Sequence, residues 1–173
     1  MVSKSSVYVA KPQELSLRLR QAFRTAVSGT PGPVHIDIEG RGGSEIVDVE
    51  ADLDVIAEPL FAKYPPFRPE ADVESVKAAL QLLADAKRPA IVAGGGVTAS
   101  GARDELIALA EKLSIPVAAA LNAKAMFPSD HPLAVGTPGV YSRACANKFL
   151  AEADLVFFIG SHTGNQVSAN YLI

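Results

Sequence analysis

The chain has 173 residues, enough for one full domain and part of another, and 49% of them are hydrophobic, so a sizeable core can be buried. Charged residues are 20% and the net charge is −3, which argues against disorder and against a basic nucleic-acid-binding stripe. One cysteine, Cys145, excludes an internal disulfide and a cysteine-based metal site, and no apolar run approaches a membrane span.

Met1-Val2-Ser3-Lys4 leads into no apolar signal core, so the sequence reads as cytoplasmic and without membrane contact. Over 12–28, Leu15, Leu19, Ala22, Phe23 and Ala26 recur at helical spacing and predict one apolar stripe, closed at Gly29. The turn Thr30-Pro31-Gly32-Pro33 then opens a strand over 34–38, with Val34, Ile36 and Ile38 on one face and His35 and Asp37 on the other. Residues 45–58 carry six acids, and Pro59, Pro65, Pro66 and Pro69 follow, so 41–69 reads as an interdomain linker between residues 1–40 and 70–173.

Beyond the linker, helices and strands alternate. Asp72 caps a helix whose buried face is predicted from Val73, Val76, Leu80 and Leu83. A strand over 90–93, a helix over 100–113 and a strand over 116–121 come next. A long connection over 122–141 then leads to a helix over 142–152 and a strand over 155–159. Ala144 and Ala146 flank Cys145 and suggest a buried helical thiol. This alternation predicts an α/β fold, a doubly wound, mainly parallel sheet with helices on both faces, Rossmann-like, with an N-terminal helix–strand remnant ahead of it. Three strands are few for such a sheet, so the domain is expected to be truncated at its C-terminal end.

The turn Gly94-Gly95-Gly96-Val97-Thr98-Ala99 fits G-x-G-x-x-A between a strand and a helix. Glycines there either bring backbone close to a phosphate or serve packing and positive φ, and both readings stay open. A dinucleotide site also needs an acid about 20 residues on. None occurs between Glu111 and Asp130, so dehydrogenase chemistry is not expected. The strand ends Leu121-Asn122 and Gly160-Ser161-His162 should share an edge with the glycine turn, where such sheets bind ligands. His162 reads either as a phosphate or ribose contact or as a solvated loop residue. His35 and His131 read as structural, and three scattered histidines predict no metal site.

Leu19 to Ala26 and Ser28 to Ile38 resemble the close of the pyrimidine-binding domain in acetolactate-synthase-type thiamine diphosphate enzymes. Arg88-Pro89, the glycine turn, Ile115-Pro116-Val117, Phe127-Pro128-Ser129-Asp130-His131-Pro132-Leu133, Gly136, Gly139 and Ala153-Asp154-Leu155-Val156 resemble that family's central domain, in order. The resemblance implies a longer homo-oligomeric parent acting on 2-keto acids or aldehydes. In that parent a glutamate would activate the pyrimidine ring of thiamine diphosphate, and a G-D-G motif followed by asparagine would hold the diphosphate through Mg²⁺; neither is assignable here, so no catalytic or metal residue is assigned and this chain alone is expected to be inactive. The partners implied are the parent's C-terminal diphosphate-binding domain and its other subunits. It further implies that Gly94, Gly95, Gly96, Leu121, Asn122, Gly136, Gly139, Gly160 and His162 line a site for FAD or ADP. His162 departs from the arginine usual in flavin-binding members. A stand-alone flavin- or nucleotide-binding module and a purely architectural oligomerisation domain are the alternatives.

Overall fold

The computed structural model describes residues 2–39 and 52–170, which fall into two compact units, Met1–Pro69 and Glu70–Ile173. Among the described residues no helix is long and apolar enough to cross a membrane.

The first unit is a strand–helix–strand crossover of β1 (Ser5–Val9), α1 (Leu15–Val27) and β2 (Val34–Ile38). The two strands pair in parallel, with Ser5 opposite Val34 and Val9 opposite Ile38. Strand β1 is not predicted from the sequence, although Val7 and Val9 alternate with Ser6 and Tyr8. On β2, Val34 and Ile36 are half-buried while His35 and Asp37 face solvent as predicted, but Ile38 is exposed. The α1 stripe is only partly covered. Ala22 is buried and Leu15 and Ala26 are half-buried, whereas Leu19 and Phe23 (62%) are exposed, because a two-stranded sheet covers less than the full width of the stripe.

Part of the proline-rich stretch belongs to this unit rather than running free. Glu58, just ahead of the 3-10 turn Pro59–Ala62, takes both the Nε (2.6 Å) and Nη2 of Arg24 in a two-pronged pair, and Nη2 of Arg20 at 3.0 Å. Arg24 also lies over the Phe61 ring, 5.4 Å from its centre. Residues 45–50 of the acidic run lie outside the described residues.

The second unit is one parallel sheet in the order β5 (Ala134–Gly136), β4 (Val117–Ala119), β3 (Pro89–Ala93), β6 (Leu155–Ile159). Central strand β3 is buried on both faces. Ile91 and Ala93 enter one core with Val97, Leu106, Ala110 and Phe127, while Ala90 and Val92 enter the other with Ala118 and Leu150. Helices α3 (Gly95–Ser100) and α4 (Arg103–Leu113) thus serve one face and α5 (Ala144–Ala151) the other, the doubly wound arrangement predicted.

Three details differ from the sequence reading. The helix expected over 100–113 begins only at Arg103, and a separate short helix, α3, fills the glycine turn ahead of it and ends at Gly101, which takes a left-handed conformation (φ 65°). Strand β5 lies in the stretch between Pro132 and Pro138, where three residues free of proline can still join a ladder. Helix α2 (Val73–Asp85) is capped by Asp72 as expected, Oδ2 accepting from the Ser75 amide at 2.8 Å, but Val73, Val76 and Leu80 are exposed and only Leu83 is buried.

Two polar staples hold the connections of this unit. The Asp154 carboxylate accepts from the Lys87 and Arg88 amides, both at 2.8 Å, tying the entry of β3 to that of β6, and these bonds hold its pKa below the usual aspartate value. His131 sits edge-on to Phe127, 4.8 Å between ring centres. Its Nδ1 accepts from the Leu133 amide at 3.1 Å, which leaves Nε2 to donate to Glu111 of α4 at 3.2 Å.

The clamp in the first unit has a titration signature. Hydrogen bonds from Arg24 and then Arg20 lower the Glu58 pKa from 4.5 to about 2. A depressed carboxyl pKa stabilises the fold above the unfolded value and ceases to as pH falls through the folded one. Carboxyl-detected NMR of the chain should therefore show Glu58 still charged near pH 3.5, and Arg24→Ala should move its titration upward, toward the ordinary glutamate value. A titration unchanged by Arg24→Ala would show that the pair does not form.

Candidate functional site

Parallel pairing brings the strand ends out at one edge. Ala93 is opposite Ala119 on one side and Ile159 on the other, and Ala118 is opposite Gly136 on the outer strand. The segments that begin at Gly94, at Leu121-Asn122 and at Gly160-Ser161-His162 therefore leave the sheet side by side, as the sequence reading requires.

The glycine turn touches its neighbours closely. The Gly94 amide donates to the Ile159 carbonyl at 2.9 Å, and the Gly96 amide to the Gly160 carbonyl at 2.8 Å. A methyl group at Gly94 would fall on the Ser161 Cα, and one at Gly96 would stand 2.7 Å from the Gly160 Cα. One at Gly95 would stand 3.0 Å from the Asn122 side-chain nitrogen. Two backbones thus meet where side chains would otherwise separate them. Gly94, Gly96, Gly160 and Ser161 form one contact, and Gly95 faces Asn122.

Gly136 and Gly139 belong to a neighbouring stretch. At Gly139 the backbone has φ 100° and a methyl group would collide with the Gln166 carbonyl. Asn147 on α5 brackets this glycine. Its Oδ1 accepts from the Gly139 amide at 2.8 Å and its Nδ2 donates to the Gly139 carbonyl at 2.9 Å. Val140 adds a bond from its amide to the Gln166 carbonyl at 2.8 Å. The sequence reading missed Asn147. The signal for it was a lone amide beside Ala146 in a mostly apolar helix, but its partner lies eight residues back in an irregular loop.

The remaining predicted residues face outward. Leu121 is 62% exposed, and Asn122 and His162 are exposed. His35 is paired with the Ser6 hydroxyl at 3.1 Å, far from this edge in sequence and in the other unit. Cys145 is exposed, not buried as predicted; the buried position is its neighbour Ala146, about 100° further round the helix. A cavity of about 260 Å³ adjoins the glycine turn, lined by Gly96, Val97, Ser100, Leu106, Ile159 and Gly160 among others, with Glu105 as its charged wall.

Fit to cofactors can be tested on these residues. Among the described residues no group of three or more His, Cys, Asp or Glu is placed to hold a metal ion, and the sequence has no G-D-G. Residues present here therefore do not fit a thiamine diphosphate–Mg²⁺ clamp, and no chemical step is assigned to them.

Comparison with known proteins gives consistent results. Residues 76–172 match the family model described as "Thiamine pyrophosphate enzyme, central domain". The chain is 37% identical over 171 residues to a Methanocaldococcus jannaschii protein named "Probable acetolactate synthase large subunit", covering 98% of this chain and 28% of that protein. It is 34% identical over 172 residues to the acetolactate synthase large subunit of Corynebacterium glutamicum, covering 98% of this chain and 26% of the relative. The structure of benzoylformate decarboxylase from Polynucleobacter necessarius matches with a TM-score of 0.69 and 25% identity, over 97% of this chain and 32% of that one. The chain thus spans between a quarter and a third of the length of the proteins it matches.

The Asn147 bracket is the polar anchor of this edge. Asn147→Ala would strip both bonds from Gly139 and should cost about 1–3 kcal/mol. Urea denaturation would read this as a lower midpoint at unchanged slope, and a wild-type midpoint would show that the bracket contributes nothing.

Proposed function

Because the chain belongs to the thiamine pyrophosphate enzyme family, through that family's central domain, we propose that it is the structural middle of a longer thiamine-diphosphate-dependent enzyme that acts on 2-keto acids or aldehydes. Thiamine diphosphate, usually with a divalent metal, is the cofactor this family implies. When bound in the whole enzyme it supplies carbanion stabilisation at the carbonyl carbon of the substrate. In this reading, residues 70–173 contribute scaffold and residues 1–40 the end of the preceding pyrimidine-binding domain. The parent is a homo-oligomer in which other subunits and a C-terminal domain complete the site.

The observation that carries the reading is the match of residues 76–172 to the family's central-domain model, in a chain that spans between a quarter and a third of the proteins it resembles. The sheet of the second unit has two packed cores, yet the conspicuous residues at its ligand edge are glycines engaged with backbone. Chemistry needs titratable groups positioned against a substrate. The relatives' names point the same way. Proteins named for acetolactate synthesis and for benzoylformate decarboxylation share this scaffold, so the choice of substrate is made elsewhere.

Two measurements on residues 1–173 test the proposal. Calorimetric titration with thiamine diphosphate and Mg²⁺ should give no saturable heat, and pyruvate or benzoylformate supplied with both should be neither decarboxylated nor ligated. Micromolar, Mg²⁺-dependent binding or any turnover would overturn it. A yellow protein with a flavin spectrum would instead favour a flavin-binding module.

A further inference from the structure

We infer that the crevice at the strand-order switch of the second unit is sealed by the chain's own backbone, so that its glycine turn is a packing lock and admits neither FAD nor ADP. The inference stands on the packing of residues 70–170 alone, so it can fail while the family assignment stands.

The sheet order places β4 and β6 on opposite sides of β3. The gap between the segments after β3 and after β6 is therefore the switch point, where an open α/β sheet takes its ligand. A diphosphate there needs two things, glycine faces open to the ligand and first-turn amides free to donate. At Gly94 and Gly96 this chain offers neither. The Gly94 amide is taken by Ile159, that of Gly96 by Gly160, and that of Val97 by Gly94 at 3.0 Å. The faces of Gly94 and Gly96 are filled by the backbone of Gly160 and Ser161. The contact is reciprocal, since a methyl at Gly160 would stand 2.8 Å from both the Gly96 Cα and the Val97 nitrogen.

Neighbouring chemistry points the same way. Helix α3 has only six residues before Gly101 ends it, which leaves little dipole to draw an anion. The adjoining cavity is walled by Val97, Leu106, Leu109 and Ile159, and the charged group lining it is the Glu105 carboxylate, which repels phosphate. At the position where the resemblance implies a guanidinium stands His162, which is exposed.

Glycine substitutions separate a lock from an ordinary turn, because Gly101 supplies an internal control. Gly101 and Gly160 have nearly equal φ, 65° and 58°, but a methyl at Gly101 meets nothing within 4 Å. Gly101→Ala therefore reports left-handed strain alone, and Gly160→Ala reports strain plus collision. In the full chain, Gly160→Ala should lower the Tm by at least about twice the drop of Gly101→Ala. Combining Gly96→Ala with Gly160→Ala should lower it by less than the sum of the two, since both break one contact. Titration of the unmodified chain with ADP and with FAD, followed by amide NMR, covers the case in which a variant fails to fold. No shift at Gly94–Val97 up to about 1 mM ligand is expected, a level that would detect even a Kd of about 1 mM. Saturable shifts at those amides would overturn the inference, as would a Gly160→Ala variant no less stable than Gly101→Ala. Flat titrations, or shifts that spare those amides, uphold it.

Discussion

Everything in the second unit is arranged around a strand that has no free side. In β3, Ala90, Ile91, Val92 and Ala93 are fully buried, and its two edges are hydrogen-bonded to β4 and β6. Alternation of side chains then forces two cores, one fed by Ile91 and Ala93, the other by Ala90 and Val92. Removing a fully buried isoleucine side chain typically costs about 2–5 kcal/mol, a large share of any domain's net stability. Because the ladder is parallel, each neighbour must return to the same starting edge, and every exit from the sheet is crowded into the opposite one.

Crowding at that exit explains the residues found there. Two segments that leave adjacent strands about 4.8 Å apart have no room for side chains between them if they continue in contact. Glycine at 94, 96 and 160 lets them stay in contact, and the amides of Gly94 and Gly96 are satisfied without water. The same logic recurs one step outward. Gly139 meets Gln166, and Asn147 supplies both a donor and an acceptor to its backbone. At the other end of the sheet Asp154 performs the equivalent task with charge, gathering two amides from the turn that enters β3. Hydrogen bonds thus tie connecting segments together at both ends of the sheet.

What the sequence disclosed follows from how local each signal is. β3 and β6 stood out because a strand buried on both faces is an unbroken apolar run, and α4 because its stripe is long. β1 and β5 did not stand out. β5 has only three residues, and proline on each side masks it. The faces of α1 and α2 were recognised as apolar, but periodicity states that a face is fit for burial, not that a neighbour covers it, and Phe23, Val73 and Leu80 are exposed in the event. Cys145 was misjudged by one helical step. Among site residues, Gly94–Gly96, Leu121, Asn122 and Gly160 were placed at one edge correctly, because strand ends and parallel connectivity suffice for that. The partner of each glycine was not legible, since Gly96 and Gly160 are 64 positions apart and only the sheet order joins them.

A glycine motif at a strand-to-helix turn is open to two physical interpretations. G-x-G-x-x-A specifies that side chains must be missing, and says nothing of what fills the space. A phosphate and a second stretch of backbone are both compact, both accept from amides, and both exclude a Cβ. They differ in where the acceptor comes from. A bound phosphate leaves the amides unpaired in the free protein, at a solvation cost that water meets. A neighbouring carbonyl pairs them permanently, as Ile159 and Gly160 do here. A ligand could enter only by displacing those carbonyls, which would orphan them and part the ends of β3 and β6. The free energy of binding would then have to exceed the cohesion of the central strands themselves, so the motif in this chain serves the sheet before it can serve any guest.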